Sequence, residues 1–98
     1  MAKKQTFLTA EWSEQFKKSY AGLQHREQKN ADKVILALLK REPTPGMRVK
    51  PIEPDKYYSE ARINDGDRLI FHEHDGVIWF IDLVTHDDIG AYSKKPRA

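Results

Sequence analysis

Between Tyr57 and Tyr92 the chain reads YYSEARINDGDRLIFHEHDGVIWFIDLVTHDDIGAY, a block that fits a small β-sheet and little else. Two Asp-Gly pairs, Asp65-Gly66 and Asp75-Gly76, mark tight turns, because Gly reaches positive φ without a Cβ clash and Asp tolerates it. The run Val77–Val84 is almost continuously apolar, which predicts a central strand covered on both faces rather than a helix. The three strands so defined need cover, and the upstream half must supply it.

That half offers two amphipathic helices. Gln5 to Leu8 is a short extended segment, and Thr9 stands as the N-cap of a first helix with Glu11 in its first turn, where the helix dipole favours a carboxylate. Trp12, Phe16, Tyr20 and Leu23 recur at spacings of four, four and three, one apolar face ending at Gly22. A second helix is expected over 24–41, its core stripe Ala31, Val34, Ile35, Leu38 and Leu39, its end set by Pro43. The proline-rich stretch 42–54 is a loop with an edge-strand candidate at 47–50. The order strand, helix, helix, strands predicts an α+β domain with an N-terminal strand and a two-helix hairpin on one face of a mainly antiparallel sheet. Residues 1–98 are expected to form one domain, with a mobile basic tail from about residue 93.

Alternation along Arg68–His74 separates two faces. Leu69 and Phe71 belong under the helices, while Arg68, Ile70, His72 and His74 look the other way. His86 and Tyr92 follow the last strand. Arg, His and Tyr gathered on one open face have the chemistry to hold a phosphate and move protons. The plainer reading of these side chains is that they are solvated or paired with neighbours such as Glu73 and Asp82. His72 and His74 give a metal two ligands, and His86 a third at most, so no metal site is assigned and no cofactor is expected. Asp87-Asp88 reads as a helix start.

Charge narrows the partners. Residues 1–50 carry 11 Lys and Arg against 5 Asp and Glu, residues 51–98 carry 6 against 10, and the chain nets +2. A basic half suits nucleic acid or an acidic protein. With no cysteine, disulfide and thiol chemistry are excluded. No apolar run approaches a signal peptide or a membrane span, so a soluble cytoplasmic protein with no membrane partner is expected.

Two stretches resemble the RelE/ParE superfamily of bacterial type II toxins. YSEARINDGDRLIF, from Tyr58, is similar to that family's strand pair of tyrosine, arginine, short turn, arginine, apolar pair and aromatic. FIDLVTHDDIGAY, from Phe80, is similar to its last strand with a following histidine and tyrosine. The resemblance implies a RelE-like fold, a cognate antitoxin wrapping an acidic segment around the toxin, and metal-independent, ribosome-dependent cleavage of mRNA in which the 2′-OH attacks the adjacent phosphate. It places Arg68 on that phosphate, with His86 and Tyr92 moving protons as the catalytic set. Arg62, His72, Arg48 and Lys50 are the implied substrate-binding residues. Where relatives carry lysines this chain has Ser59, Glu60 and Ala61, and Asp65, Asp67, Asp87 and Asp88 crowd the same end. The alternatives are a ParE-like inhibitor of DNA gyrase and a non-catalytic or decayed binding domain.

Overall fold

The computed structural model describes residues 7–53 and 56–93. In chain order these form β1 (Thr9–Trp12), α1 (Glu14–Ala21), α2 (His25–Leu39), a 3-10 turn (Pro45–Met47), β2 (Lys50–Pro51), β3 (Ser59–Arg62), β4 (Asp67–His74), β5 (Val77–Thr85) and a 3-10 segment (His86–Ser93). The five strands make one sheet in the order β1-β5-β4-β3-β2, with β1 parallel to β5 and every other pair antiparallel. The expected architecture of a helical hairpin on a mainly antiparallel sheet is therefore present. The basic tail at 94–98 and the first residues of the proposed Gln5–Leu8 strand lie outside the described residues.

The N-terminal boundary falls four residues later than the periodicity predicts. Thr9 and Glu11 lie in β1, and Ser13 is the cap of α1: its hydroxyl oxygen accepts the Phe16 N–H at 2.9 Å and its O–H donates to the Ile81 carbonyl at 2.5 Å. Trp12 keeps its place beside Phe16, ring centroids 5.5 Å apart, although it belongs to the strand. Gly22 ends α1, as expected. In α2 the Gln24 N–H donates to Glu27 Oε1 at 2.9 Å across the first turn, and Ala31, Val34, Ile35 and Leu38 are buried.

The two turns differ. Asp75 (φ 51°) and Gly76 (φ 80°) take the left-handed geometry that a two-residue hairpin requires. Gly66 has no positive φ; there Asn64 Oδ1 accepts the N–H groups of Gly66 and Asp67, both at 2.9 Å, and the side chain makes the turn. The 47–50 edge strand is also displaced. Arg48 at φ 47° closes the 3-10 turn, so pairing begins only at Lys50, opposite Glu60.

The sheet carries a core on each face. Under the helices lie Phe16, Val34, Leu38, Leu69, Phe71, Ile78 and Phe80. On the other face the 3-10 segment folds back to close a smaller cluster of Ile52, Tyr58, Ile70 and Tyr92. Phe80, Leu69, Ile70 and Ile78 are fully buried, each contributing about 2 kcal/mol of transfer free energy. β4, not β5, is central, and β5 is covered on its second face only in part, with Trp79 36% exposed. A β-bulge explains the irregular alternation: Phe71 faces Phe80 but Ile70 faces Asp82, leaving Ile81 as the extra residue. Ile78 and Phe80 therefore enter the helix-side core, whereas Ile81 and Val84 join the opposite cluster.

Candidate functional site

The predicted polar residues share the face opposite the helices, but the cluster around Tyr92 divides them. At the Asn64–Gly66 end stand Arg62, Arg68 and His86. At the Asp75–Gly76 end stand His72 and His74. Four residues of β4 separate Arg68 from His72, about 13 Å at the rise of an extended strand.

Arg68 lies opposite Val84 with its side chain 13% exposed. Its Nη1 donates to the carbonyls of Asn64 (2.8 Å), Asp67 (3.0 Å) and Asp65 (3.3 Å), and its Nε is 3.7 Å from Glu60 Oε1. Glu60 is itself buried, at 8% exposure. The guanidinium is thus held in place by the turn and by one carboxylate. The neighbour it pairs with is Glu60, rather than Glu73 or Asp82. Arg62 pairs with the exposed Asp65. Arg48 and Lys50 are exposed on the far edge of the sheet, Lys50 beside Glu60 in the register.

His86 is exposed at the mouth of this end, its backbone N–H donating to the Gly66 carbonyl at 2.8 Å. That bond ties the start of the 3-10 segment to the β3–β4 turn, so His86 and Arg68 share one corner. Tyr92 is placed differently. It is buried at 5% exposure, edge-on to Tyr58 with centroids 5.5 Å apart, and its hydroxyl donates to Asp82 Oδ2 at 2.5 Å. Burial, then the bond to Asp82, pushes its phenol well above the usual tyrosine range. Asp82, 7% exposed, also accepts from Ser19 Oγ (2.7 Å) and the Leu83 N–H (2.8 Å) through Oδ1. The sequence does hold a signal for this group, a lone carboxylate inside an apolar strand, because such a carboxylate folds only with partners.

At the other end, His72 Nδ1 meets the Tyr57 carbonyl at 2.8 Å, and the two rings stack at 4.0 Å and 17°. Trp79, opposite His72 in the register, lies 6.0 Å from it at 29°. Tyr57 and Trp79 were not singled out by sequence pattern, since neither carries titratable chemistry near neutrality. Among the described residues no three His, Asp or Glu side chains converge as a metal site, and His86 is remote from His72 and His74 along the sheet.

The helical side has an apolar groove of about 580 Å³ between α1 and α2, floored by Phe16 and Ile35 and rimmed by Trp12, Tyr20, Leu36 and Lys17. Trp12 and Leu36 are 40% and 49% exposed. No helix among the described residues is long and apolar enough to cross a membrane.

No family model matches the sequence, and no curated protein matches it. Solved structures do. The chain is similar to one in the DinJ–YafQ complex of E. coli, with 21% identity and a TM-score of 0.73 over 82% of this chain and 94% of that one. It is similar to a copper-bound mutant toxin from Helicobacter pylori, with 22% identity and a TM-score of 0.70 over 83% and 97% of the two chains. It is also similar to a chain of the RelBE2 toxin–antitoxin complex of Mycobacterium tuberculosis, with 17% identity and a TM-score of 0.65 over 82% and 99%. At these identities the likeness is one of fold: this chain has the RelE-like toxin fold.

Proposed function

We propose that this chain is the toxin of a cytoplasmic toxin–antitoxin pair and acts by cleaving mRNA on the ribosome. The observation that carries this reading is the corner shared by Arg68 and His86, on a fold whose solved examples include toxins in complex with antitoxins. Arg68, oriented by Glu60 and the turn carbonyls, meets the scissile phosphate. His86, exposed beside it, gives a proton to the departing 5′-oxygen as the 2′-oxygen, its own proton passing to solvent water, closes on phosphorus. Tyr92 serves through Asp82 as a positioning residue, because its hydroxyl is committed and its ring buried. It holds the segment on which His86 is mounted. Arg62, Arg48 and Lys50 contact flanking phosphates.

The antitoxin is an acidic amphipathic segment seated in the apolar groove of the helical hairpin. Leu36 and Trp12 offer apolar surface at its rim, Lys17 is an exposed cation in its lining, and the one carboxylate there, Asp32, already accepts the Tyr20 hydroxyl at 2.8 Å.

Induction of the chain alone should arrest growth, with new mRNA 5′ ends mapping to codons on translating ribosomes. Arrest by Arg68→Lys and His86→Gln proteins, shown folded, at wild-type strength would overturn the catalytic assignment. A second reading, inhibition of DNA gyrase by binding, is favoured by one observation: Arg68 already has four interactions, and a binding surface has no need of a free guanidinium. Loss of supercoiling by purified gyrase on addition of the chain, with mRNA intact, would establish that reading in its place.

A further inference from the structure

The Tyr57–His72 pair stands as a wall between two clefts. On one side His72 and Tyr57, with His74, Trp79 and Ile81, line an aromatic cleft of about 330 Å³. On the other, Tyr57 and His72 face a more polar cleft of about 470 Å³ whose lining includes Arg41, Lys56 and Glu73. The rings run nearly parallel: Tyr57 to His72 at 17°, His72 to His74 at 9° and His72 to Trp79 at 29°. The aromatic cleft contains no residue of the main core, whereas the second cleft reaches Leu38 and Phe71 at that core's edge.

We propose that this aromatic cleft is a seat for one unpaired RNA base, with that nucleotide's phosphate reaching Arg41 and Lys56 past the Tyr57–His72 wall. This rests on the mRNA-cleaving function proposed above and names a substrate contact about 13 Å along β4 from the Arg68 corner. Three features favour a nucleotide over an apolar peptide. Near-parallel rings offer a planar ligand a stacking surface that every base can use. With Nδ1 occupied by the Tyr57 carbonyl, Nε2 is the ring atom of His72 left to hydrogen-bond a base edge. The adjoining cleft carries two cations against one carboxylate, Glu73, and the further pair of Lys56 with Glu53 is exposed at 3.7 Å. Arg41 and Lys56 both sit at positive φ, 61° and 67°, so the chain bends sharply at each of the two points that present a cation.

The test is binding of a fluorescein-labelled hexaadenylate RNA to the purified full-length chain, followed by anisotropy. Trp79→Ala should weaken binding about 10-fold, the scale of one lost base–aromatic stack, and Trp79→Phe should retain it. An oligomer with one abasic position should lose the same factor on wild type and nothing more on Trp79→Ala. Arg41→Ala and Lys56→Ala should each flatten the salt dependence by about 0.7 in log–log slope. Equal binding of the fully paired duplex, or wild-type affinity in Trp79→Ala, would overturn the seat and leave the patch as a protein contact. Trp79 is 36% exposed and belongs to neither core cluster, circular dichroism of the variant checks its fold, and Tyr57→Ala supplies a second arm. The two proposals fail separately. Stacked binding without cleavage on ribosomes removes the nuclease reading, whereas cleavage with Trp79-independent binding removes this one.

Discussion

The hydroxyl of Tyr92 donates a 2.5 Å hydrogen bond to Asp82 Oδ2 in the buried half of the sheet face turned away from the helices. Through its other oxygen the same carboxylate accepts from Ser19 of α1 at 2.7 Å. Asp82 therefore clasps two elements to β5: the helix that walls the apolar groove, and the segment that carries His86. Its place at the β-bulge makes this possible, because the extra residue Ile81 turns Asp82 toward Tyr92.

The clasp has a pH signature. Tyr92 titrates above its unfolded value, chiefly from burial and then from the bond to Asp82. A raised pKa means the folded state binds its proton more tightly. The stabilisation is fully present below about pH 10, the ordinary tyrosine value, and is lost as pH rises above it. Tyr20, raised by donating to Asp32, acts in the same direction. Thermal midpoints of wild type should fall more steeply above pH 10 than those of Tyr92→Phe, and parallel curves would remove the clasp from the account.

Function and stability should separate at this pair. Tyr92→Phe removes one hydrogen bond to a buried carboxylate and should cost about 1–3 kcal/mol in urea unfolding. Mapped mRNA cleavage should remain within about 10-fold of wild type. His86→Gln, at an exposed position, should leave unfolding unchanged and lower cleavage at least about 100-fold, the lower bound for a lost general acid. A 100-fold loss in Tyr92→Phe would return the tyrosine to the chemistry.

Under the proposed function, Glu60 competes with a substrate phosphate for Arg68. Removing the arginine strands a carboxylate that is 11% exposed at its side chain, so Arg68→Ala should cost about 2–3 kcal/mol, between the values for surface and fully buried pairs. Glu60→Gln keeps the volume and frees the guanidinium. RNA affinity should rise about threefold or more, since a like charge near the phosphate is removed. Unchanged affinity in a titration at low salt would place the phosphate elsewhere.

Much of this was legible in the sequence, and the failures have physical causes. The core stripe of α2 and the Leu69/Phe71 face follow from period alone, and both are as expected. Trp12 fitted a helical spacing with Phe16 because the strand ends directly against the helix, so adjacency in space imitated periodicity. Gly66 read as a positive-φ turn because Asp-Gly resembles the Asp75-Gly76 hairpin, yet Asn64 supplies the turn instead. The bulge at Ile81 hid the side on which Asp82 lies, since a single extra residue reverses alternation. Arg68, His86 and Tyr92 were found as residue types, but whether each is open or committed depends on Glu60, Gly66 and Asp82, contacts distant in sequence.

The groove between the helices gives the last prediction. Leu36 is 49% exposed on α2 and Trp12 40% exposed on β1, a pairing that leaves apolar surface facing water with Lys17 in the same lining. Leu36→Asp places a carboxylate where an acidic segment would dock and removes apolar contact, at little cost to folding because the site is exposed. The variant should unfold within about 0.5 kcal/mol of wild type. In cells it should still arrest growth, but co-expression of the proposed antitoxin should no longer relieve the arrest. Purified together, the pair should separate on a sizing column where the wild-type pair stays joined. Full rescue of Leu36→Asp by that partner would show that the acidic segment docks on another face, and the groove would then have no part in neutralisation.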